Sequence, residues 1–284
     1  MSYKAITTYI DDTPECEAWC EYAIDLALQH NARLVAVAAR NLASHLIATD
    51  YLALNSRWVS ELQERIDKNV SKIAALFERQ CEKKGLTRAE VRVITGTPVD
   101  AMKHEALFSD LIVLGQYQKY QEQNTNGASL SRAGLQESLL MSSARPILYV
   151  PTQGKYAAIA DHVLIAWQSS RESALAVRQA LPLIQQATSV QAVVVVGKGS
   201  QKSETTGDHK ALITYLALHG VSLETKILVS DSNPANMLLS HACDNGAELL
   251  VMGGYGHTRL KEWAIGGVTK TILESMTLPV LMAH

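Results

Sequence analysis

Cysteine, phenylalanine and proline are all scarce in this chain, with four, two and seven copies in 284 residues. The cysteines, Cys16, Cys20, Cys81 and Cys243, form no CxxC pair and are too sparse for a disulfide scaffold. No apolar run approaches the roughly 18 residues that a membrane-spanning helix needs. The formal charge of -2 and pI near 6.5 provide no basic face for DNA or RNA. The first residues reach Asp11-Asp12 before an apolar signal core could form, so no secretory signal is expected. These absences predict a cytoplasmic protein without nucleic-acid or membrane partners.

What is present is repetition. Apolar residues make up 47% of the chain, enough for two cores, and the length suits two domains of roughly 140 residues. The first half offers a strand at Ile6 to Ile10, a helix from about Pro14 to His30 and a strand at Leu34 to Ala38. The second offers Val163 to Trp167, Arg171 to Ala187 and Val190 to Val196. Each half continues with a helix, a strand (Val91 to Thr95; Leu223 to Val229) and a proline, Pro98 or Pro234, opening another helix. A strand ending in glycine follows, Leu111 to Gly115 or Leu249 to Gly253, and each half closes on a proline-led apolar strand, Ile147 to Val150 or Val280 to Ala283.

Short apolar runs bounded by turn residues and alternating with helices indicate buried parallel strands joined by βαβ crossovers. The spacing predicts two tandem α/β sandwich domains, at 1–151 and 161–284, with a linker from Pro151 to Ala160. Trp19, Tyr22, Ala23, Leu26 and Ala27 fall on one helical face, as do Leu62, Ile66, Val70, Ile73, Ala74 and Phe77. Those stripes read as core.

The chemistry concentrates near the end of the chain. Strand residues Leu250 to Met252 run into Gly253-Gly254-Tyr255-Gly256, and Gly266-Gly267-Val268-Thr269 follows after nine residues. Glycine at such positions lets a phosphate approach backbone N–H groups at a helix N-terminus. The spacing is neither GxGxxG nor a P-loop.

Gly253-x2-Gly256-x9-Gly266 resembles the ATP-binding motif of the universal stress protein family, and with the duplicated element order the whole chain resembles two such domains in tandem. The resemblance implies a five-stranded, mostly parallel sheet in each domain, flanked by helices. It also implies adenine-nucleotide binding in some members, with ATP or a relative as ligand and Mg as companion. Pairing of domains through their last strands is implied too, as an intrachain pseudo-dimer, with a further homodimer left open.

Two departures follow from that resemblance. Gly267 stands where Ser or Thr is usual, leaving the backbone of Gly267 and Val268 for phosphate. The family places an Asp after the first strand, near base and ribose; Asp11 matches in the first half, whereas Gln168 stands there in the second. Gln118 replaces the second glycine of the first half, making that domain degenerate. Asp11 itself reads as a helix N-cap with Asp12 and Thr13, with a relic of the nucleotide site as the alternative.

The nucleotide-binding candidates are therefore Gly253, Gly256, Gly266, Gly267, Val268, Gln168, Val195 and His257. Val195 or Val196 would offer backbone groups to adenine, and both are equally explained as core. His257, Arg259 and Lys261 face phosphate or form a solvated loop, while Trp263 packs that loop or stacks on a ligand. His241 and Cys243 lack the further ligands of a zinc site. Cys16 and Cys20, one helical turn apart, read as inert buried thiols, with a redox pair or metal half-site as the alternative. No catalytic residue or metal site is assigned. The expected function is a stress-response nucleotide switch without enzymatic activity; the alternatives are slow ATP hydrolysis at the same motif and an interaction module that binds no nucleotide.

Overall fold

A computed structural model of the chain describes residues 1–41, 56–116, 134–197, 202–230, 233–255 and 267–284. They form two compact units: Tyr3–Arg145, and Pro146–His284 together with Met1–Ser2. No helix among the described residues is long and apolar enough to cross a membrane.

The Tyr3–Arg145 unit runs β1 (Ala5–Tyr9), α1 (Cys16–His30), β2 (Arg33–Arg40), α2 (Ser56–Lys84), β3 (Ala89–Thr95), α3 (Pro98–Ala106), β4 (Leu111–Gly115) and α4 (Leu135–Ser142). Its strands are parallel in the order β3-β2-β1-β4, with Ile6 opposite both Leu34 and Leu111. The first two crossovers move one way and the third reverses. Right-handed connections therefore place α1 and α2 on one face and α3 and α4 on the other. Within each pair the two helices pack together.

The apolar stripes behave as their spacing predicts. Trp19, Tyr22, Ala23, Leu26 and Ala27 of α1 are buried, as are Leu62, Ile66, Val70, Ile73 and Phe77 of α2. Each buried aliphatic or aromatic side chain contributes about 1.5–3 kcal/mol, and this burial holds the charged helix α2 to the sheet. Helix α1 ends where Asn31 adopts a left-handed conformation, φ 49°, and returns its N–H to the carbonyls of Ala27 and Leu28.

The second unit runs β5 (Ile147–Val150), β6 (His162–Ala166), α5 (Arg171–Ile184), β7 (Ser189–Gly197), α6 (Lys202–Leu218), β8 (Glu224–Ser230), α7 (Pro234–Asp244), β9 (Leu249–Gly253), α8 (Gly267–Ser275) and β10 (Val280–Ala283). The order is β5-β10-β9-β6-β7-β8, parallel except that β5 runs against β10 with Tyr149 opposite Val280 and Ile147 opposite Met282. The two proline-led terminal strands thus pair, and all eight of their residues are buried. An apolar edge that would otherwise recruit another chain is closed. By sequence β5 is the last strand of the first repeat, but in space it is grouped with the second unit. Between β5 and β6 the chain carries no regular element, and Tyr156 Oη lies 3.0 Å from the Thr277 carbonyl.

The repeat extends to caps. Thr97 accepts the Asp100 N–H before Pro98, and Asn233 accepts the Ala235 N–H before Pro234. Proline suits the first helical position because its missing N–H would have had no partner there.

The glycines that end β4 and β9 allow close packing. A Cβ on Gly115 would lie 2.2 Å from the Trp19 ring, and one on Gly253 would lie 2.7 Å from the Ser173 backbone nitrogen in the first turn of α5. A methyl group on Gly267 meets nothing within 4 Å. Gly253→Ala should therefore destabilise the protein by about 1–3 kcal/mol, the usual cost of overpacking, while Gly267→Ala stays within about 0.5 kcal/mol of wild type. Urea unfolding of both variants checks this, and equal midpoints would contradict the packing argument.

His30 supplies a second expectation. It is buried, its Nε2 has no partner, and its ring lies 5.0 Å from that of Tyr3. Burial, with the Lys4 ammonium assisting, holds its pKa below the ordinary value of 6.5. The unfolded chain accordingly takes up the proton first as pH falls. The stability associated with neutral His30 is fully present above about pH 6.5 and is lost progressively below it. The urea midpoint of wild type should fall from pH 7 to 5.5 more steeply than that of His30→Phe; parallel slopes would refute the assignment.

Candidate functional site

In the second unit the chain runs from β6 outward to β7 and β8, then crosses back to β9 and β10. At such a reversal, here between β6 and β9, open α/β sheets bind ligands beyond the carboxyl ends of their strands. Gln168 and Gly253 both stand at that end, since Ala166 pairs with Met252 across β6 and β9.

On the β6 side, the Trp167 N–H donates to the Val193 carbonyl at 2.8 Å, and the exposed Gln168 uses its carbonyl to accept the Ser170 N–H. Ser170 caps α5 by accepting the Ser173 N–H. The Gln168 side chain thus stands in solvent above the strand end. Strand β7 continues four residues past Val193, the partner of Ala166, so half-buried Val195 and Val196 lie on an overhang that β6 does not cover. The Trp167 indole N–H is buried and lacks a partner.

The β9 side divides the glycine motif by role. Gly253, assigned to phosphate by spacing, meets a packing requirement against α5. The Gly254 N–H donates to the Ala283 carbonyl, and its own carbonyl lies 3.0 Å from His284 Nδ1. Tyr255 takes a left-handed conformation, φ 49°, unusual for a residue with a Cβ, and donates its N–H to Thr269 Oγ1 at 3.1 Å. Thr269 is buried on the first turn of α8 and ties the strand end to the helix start. Spacing did not single it out; the only signal is a hydroxyl in the first turn after the second glycine pair.

Gly267 opens α8, exposed and facing open space, with half-buried Val268 behind it. The first N–H groups of a helix have no intrahelical acceptor, and the aligned peptide dipoles favour an anion there. Gly256, His257, Arg259, Lys261, Trp263 and Gly266 lie outside the described residues.

His241 is held structurally. Its Nε2 lies 2.7 Å from Gln191 Oε1, and burial lowers its pKa. Cys243 is exposed, and no group of three or more metal-binding side chains occurs among the described residues.

In the first unit the Asp11 reading requires correction. Helix α1 begins at Cys16, with Glu15 in the cap position and no side-chain cap bond. Asp11 Oδ1 instead accepts from the Thr13 backbone at 3.0 Å and from the Thr13 hydroxyl at 2.5 Å, because a short carboxylate readily closes a turn with the residue two ahead. Asp11 also lines a cavity of about 410 Å³ between α1 and α2. Sequence reasoning missed this cavity, since its walls come from segments some sixty residues apart. It lies in the half where Gln118 stands in place of the second glycine. Gln118 lies outside the described residues, while Gln136 Nε2 donates to the Gly115 carbonyl.

Comparison with known proteins bears on the second unit most directly. The model of the universal stress protein family matches residues 160–284. A universal stress protein of Synechocystis sp. is 25% identical over 211 residues, covering 74% of this chain and 70% of that protein. One from Bacillus subtilis is 36% identical over 65 residues, 23% of this chain and 43% of the relative. One from Methanocaldococcus jannaschii is 31% identical over 65 residues, 23% and 40% respectively. In fold, the crystal structure of a universal stress protein from Archaeoglobus fulgidus superposes with a TM-score of 0.71 at 17% identity, covering 98% of this chain and 95% of that one. Residues 160–284 thus carry a domain that matches the universal stress protein family.

Proposed function

We propose that residues 161–284 bind ATP or a related adenine nucleotide, with Mg as companion ion, and that 1–151 is a second, diverged domain of the same kind. Binding rather than turnover is the output, and the chain acts as a nucleotide-responsive stress protein. The observation that carries this reading is the first turn of α8: Gly267 faces open space beside a strand end that Thr269 holds in place. Phosphate would meet the N–H groups of Gly267 and Val268, with Gly256, Gly266 and His257 contributing from the sequence between β9 and α8. Gln168 and the overhang of β7 at Val195 offer polar groups for ribose and adenine. The glutamine amide supplies donors and an acceptor in place of a carboxylate.

Purified protein should carry adenine nucleotide, detected by mass spectrometry after denaturation, and calorimetric titration of the full chain should give one ATP site. Gly267→Ser fits without steric conflict and adds a hydroxyl donor to phosphate, so affinity should rise about tenfold, equivalent to about 1.4 kcal/mol. Gly267→Asp should cost at least about tenfold, because it sets a carboxylate against phosphate while remaining compatible with a helix N-terminus. Asp11→Asn should leave affinity unchanged. A wild-type protein that takes up no nucleotide, or an equal loss on Asp11→Asn, would refute the assignment.

The same site accounts for slow chemistry. Backbone donors that hold phosphate equally in the ground state and the transition state do not lower a barrier. Single-turnover hydrolysis with magnesium should stay well below about 1 s⁻¹, the low end of ordinary enzymatic rates. Faster turnover that is lost on His257→Ala or Lys261→Ala would make this an enzyme.

A further inference from the structure

Cys16 and Cys20 sit on consecutive turns of α1, both buried, with their sulfur atoms 3.6 Å apart. We propose that this pair, at the floor of the cavity between α1 and α2, chelates one soft, thiophilic monovalent cation, Cu(I). The proposal concerns the first unit and does not depend on nucleotide binding in the second.

Helix geometry separates chelation from disulfide formation. Residues four apart on a helix hold their Cβ atoms about 5–6 Å apart, whereas a disulfide needs about 3.5–4.5 Å. The intact helix therefore resists a direct S–S bond. A bridging ion tolerates the wider spacing: two metal–sulfur bonds of about 2.3 Å span 3.6 Å at an angle near 100°, and small side-chain rotations open the pair toward linear coordination.

Cys16 accepts the Asp11 N–H at 3.4 Å and is the first residue of α1, where the helix dipole favours negative sulfur. Both cysteines line the 410 Å³ cavity, which gives the ion a route in. Asp11, Asp12 and Glu17 balance Lys72, Arg79 and Lys83 around it, so no net charge of the walls opposes a cation.

The donor set selects the metal. Structural zinc requires four ligands, and no group of three or more His, Cys, Asp or Glu side chains able to hold a metal occurs among the described residues. Two thiolates alone suit a soft ion of low coordination number. Both thiols must lose their protons to bind, so metal entry is coupled to proton release. On binding, two S–H bonds break, two Cu–S bonds form, two protons leave to solvent, and no electron is transferred.

The test is an anaerobic titration of the reduced full chain with Cu(I) held by bathocuproine disulfonate. Wild type should withdraw one copper per chain and develop a sulfur-to-copper charge-transfer band in the near ultraviolet. Cys16→Ala and Cys20→Ala should lose both signals, with circular dichroism reporting their fold, while Cys81→Ala and Cys243→Ala keep them. Failure of wild type to withdraw copper overturns the proposal without reference to any variant. Retention of copper by folded Cys16→Ala and Cys20→Ala overturns it as well. Phenylarsine oxide is an independent probe: each molecule bridges two thiols and releases one water. Intact mass should show one phenylarsenic bridge on Cys81→Ala/Cys243→Ala, and its absence would contradict an accessible chelating pair.

Discussion

Each unit depends on the close approach of its first helix to the last residue of a central strand, β4 beside β1 in one unit and β9 beside β6 in the other. In one unit Trp19 of α1 covers Gly115, and its indole donates to the Tyr9 carbonyl at 2.8 Å, which fixes the ring. In the other, the first turn of α5 lies against Gly253. These contacts set the height at which the helix begins relative to the strand ends, and hence the shape of the space above them. A side chain at either glycine would push the helix outward.

This constraint changes how the glycine motif is understood. A run such as Gly253-Gly254-Tyr255-Gly256 suggests a single purpose, yet its first member serves packing and its second extends hydrogen bonding to Ala283. Tyr255 turns the chain in a left-handed conformation held by Thr269. Gly267 faces open space, as the proposed approach of phosphate requires. The motif thus combines scaffold and candidate binding surface, and a strand-end glycine stands also at Gly115, where Gln118 takes the place of the second glycine.

The two units have diverged around corresponding positions. Ile10 and Trp167 each donate their N–H to the neighbouring strand, at Val37 and Val193. Ile10 lines the cavity over Cys16 and Cys20, whereas Trp167 brings a large indole with an unpartnered buried N–H to the matching place. Asp11 in one unit and exposed Gln168 in the other follow next. The duplicated framework therefore carries different chemistry at the same topological point, set by a few side chains that the sheet does not depend on.

The order of elements, their alternation and the apolar stripes of α1 and α2 were determined by the sequence itself, because hydrophobic period and turn residues are local properties that repeat in both halves. Pairing of β5 with β10 was legible too, since two apolar, proline-led strands each needed a partner. Other features were decided only in three dimensions. The cavity has walls from distant segments, Thr269 gains its role from the chain folding back to Tyr255, and Asp11 closes a turn instead of capping α1. The grouping of β5 with the second unit likewise follows from whose edge it covers. These are contacts between residues remote in sequence or choices between competing hydrogen-bond partners. Local composition leaves such choices open until packing brings the groups together.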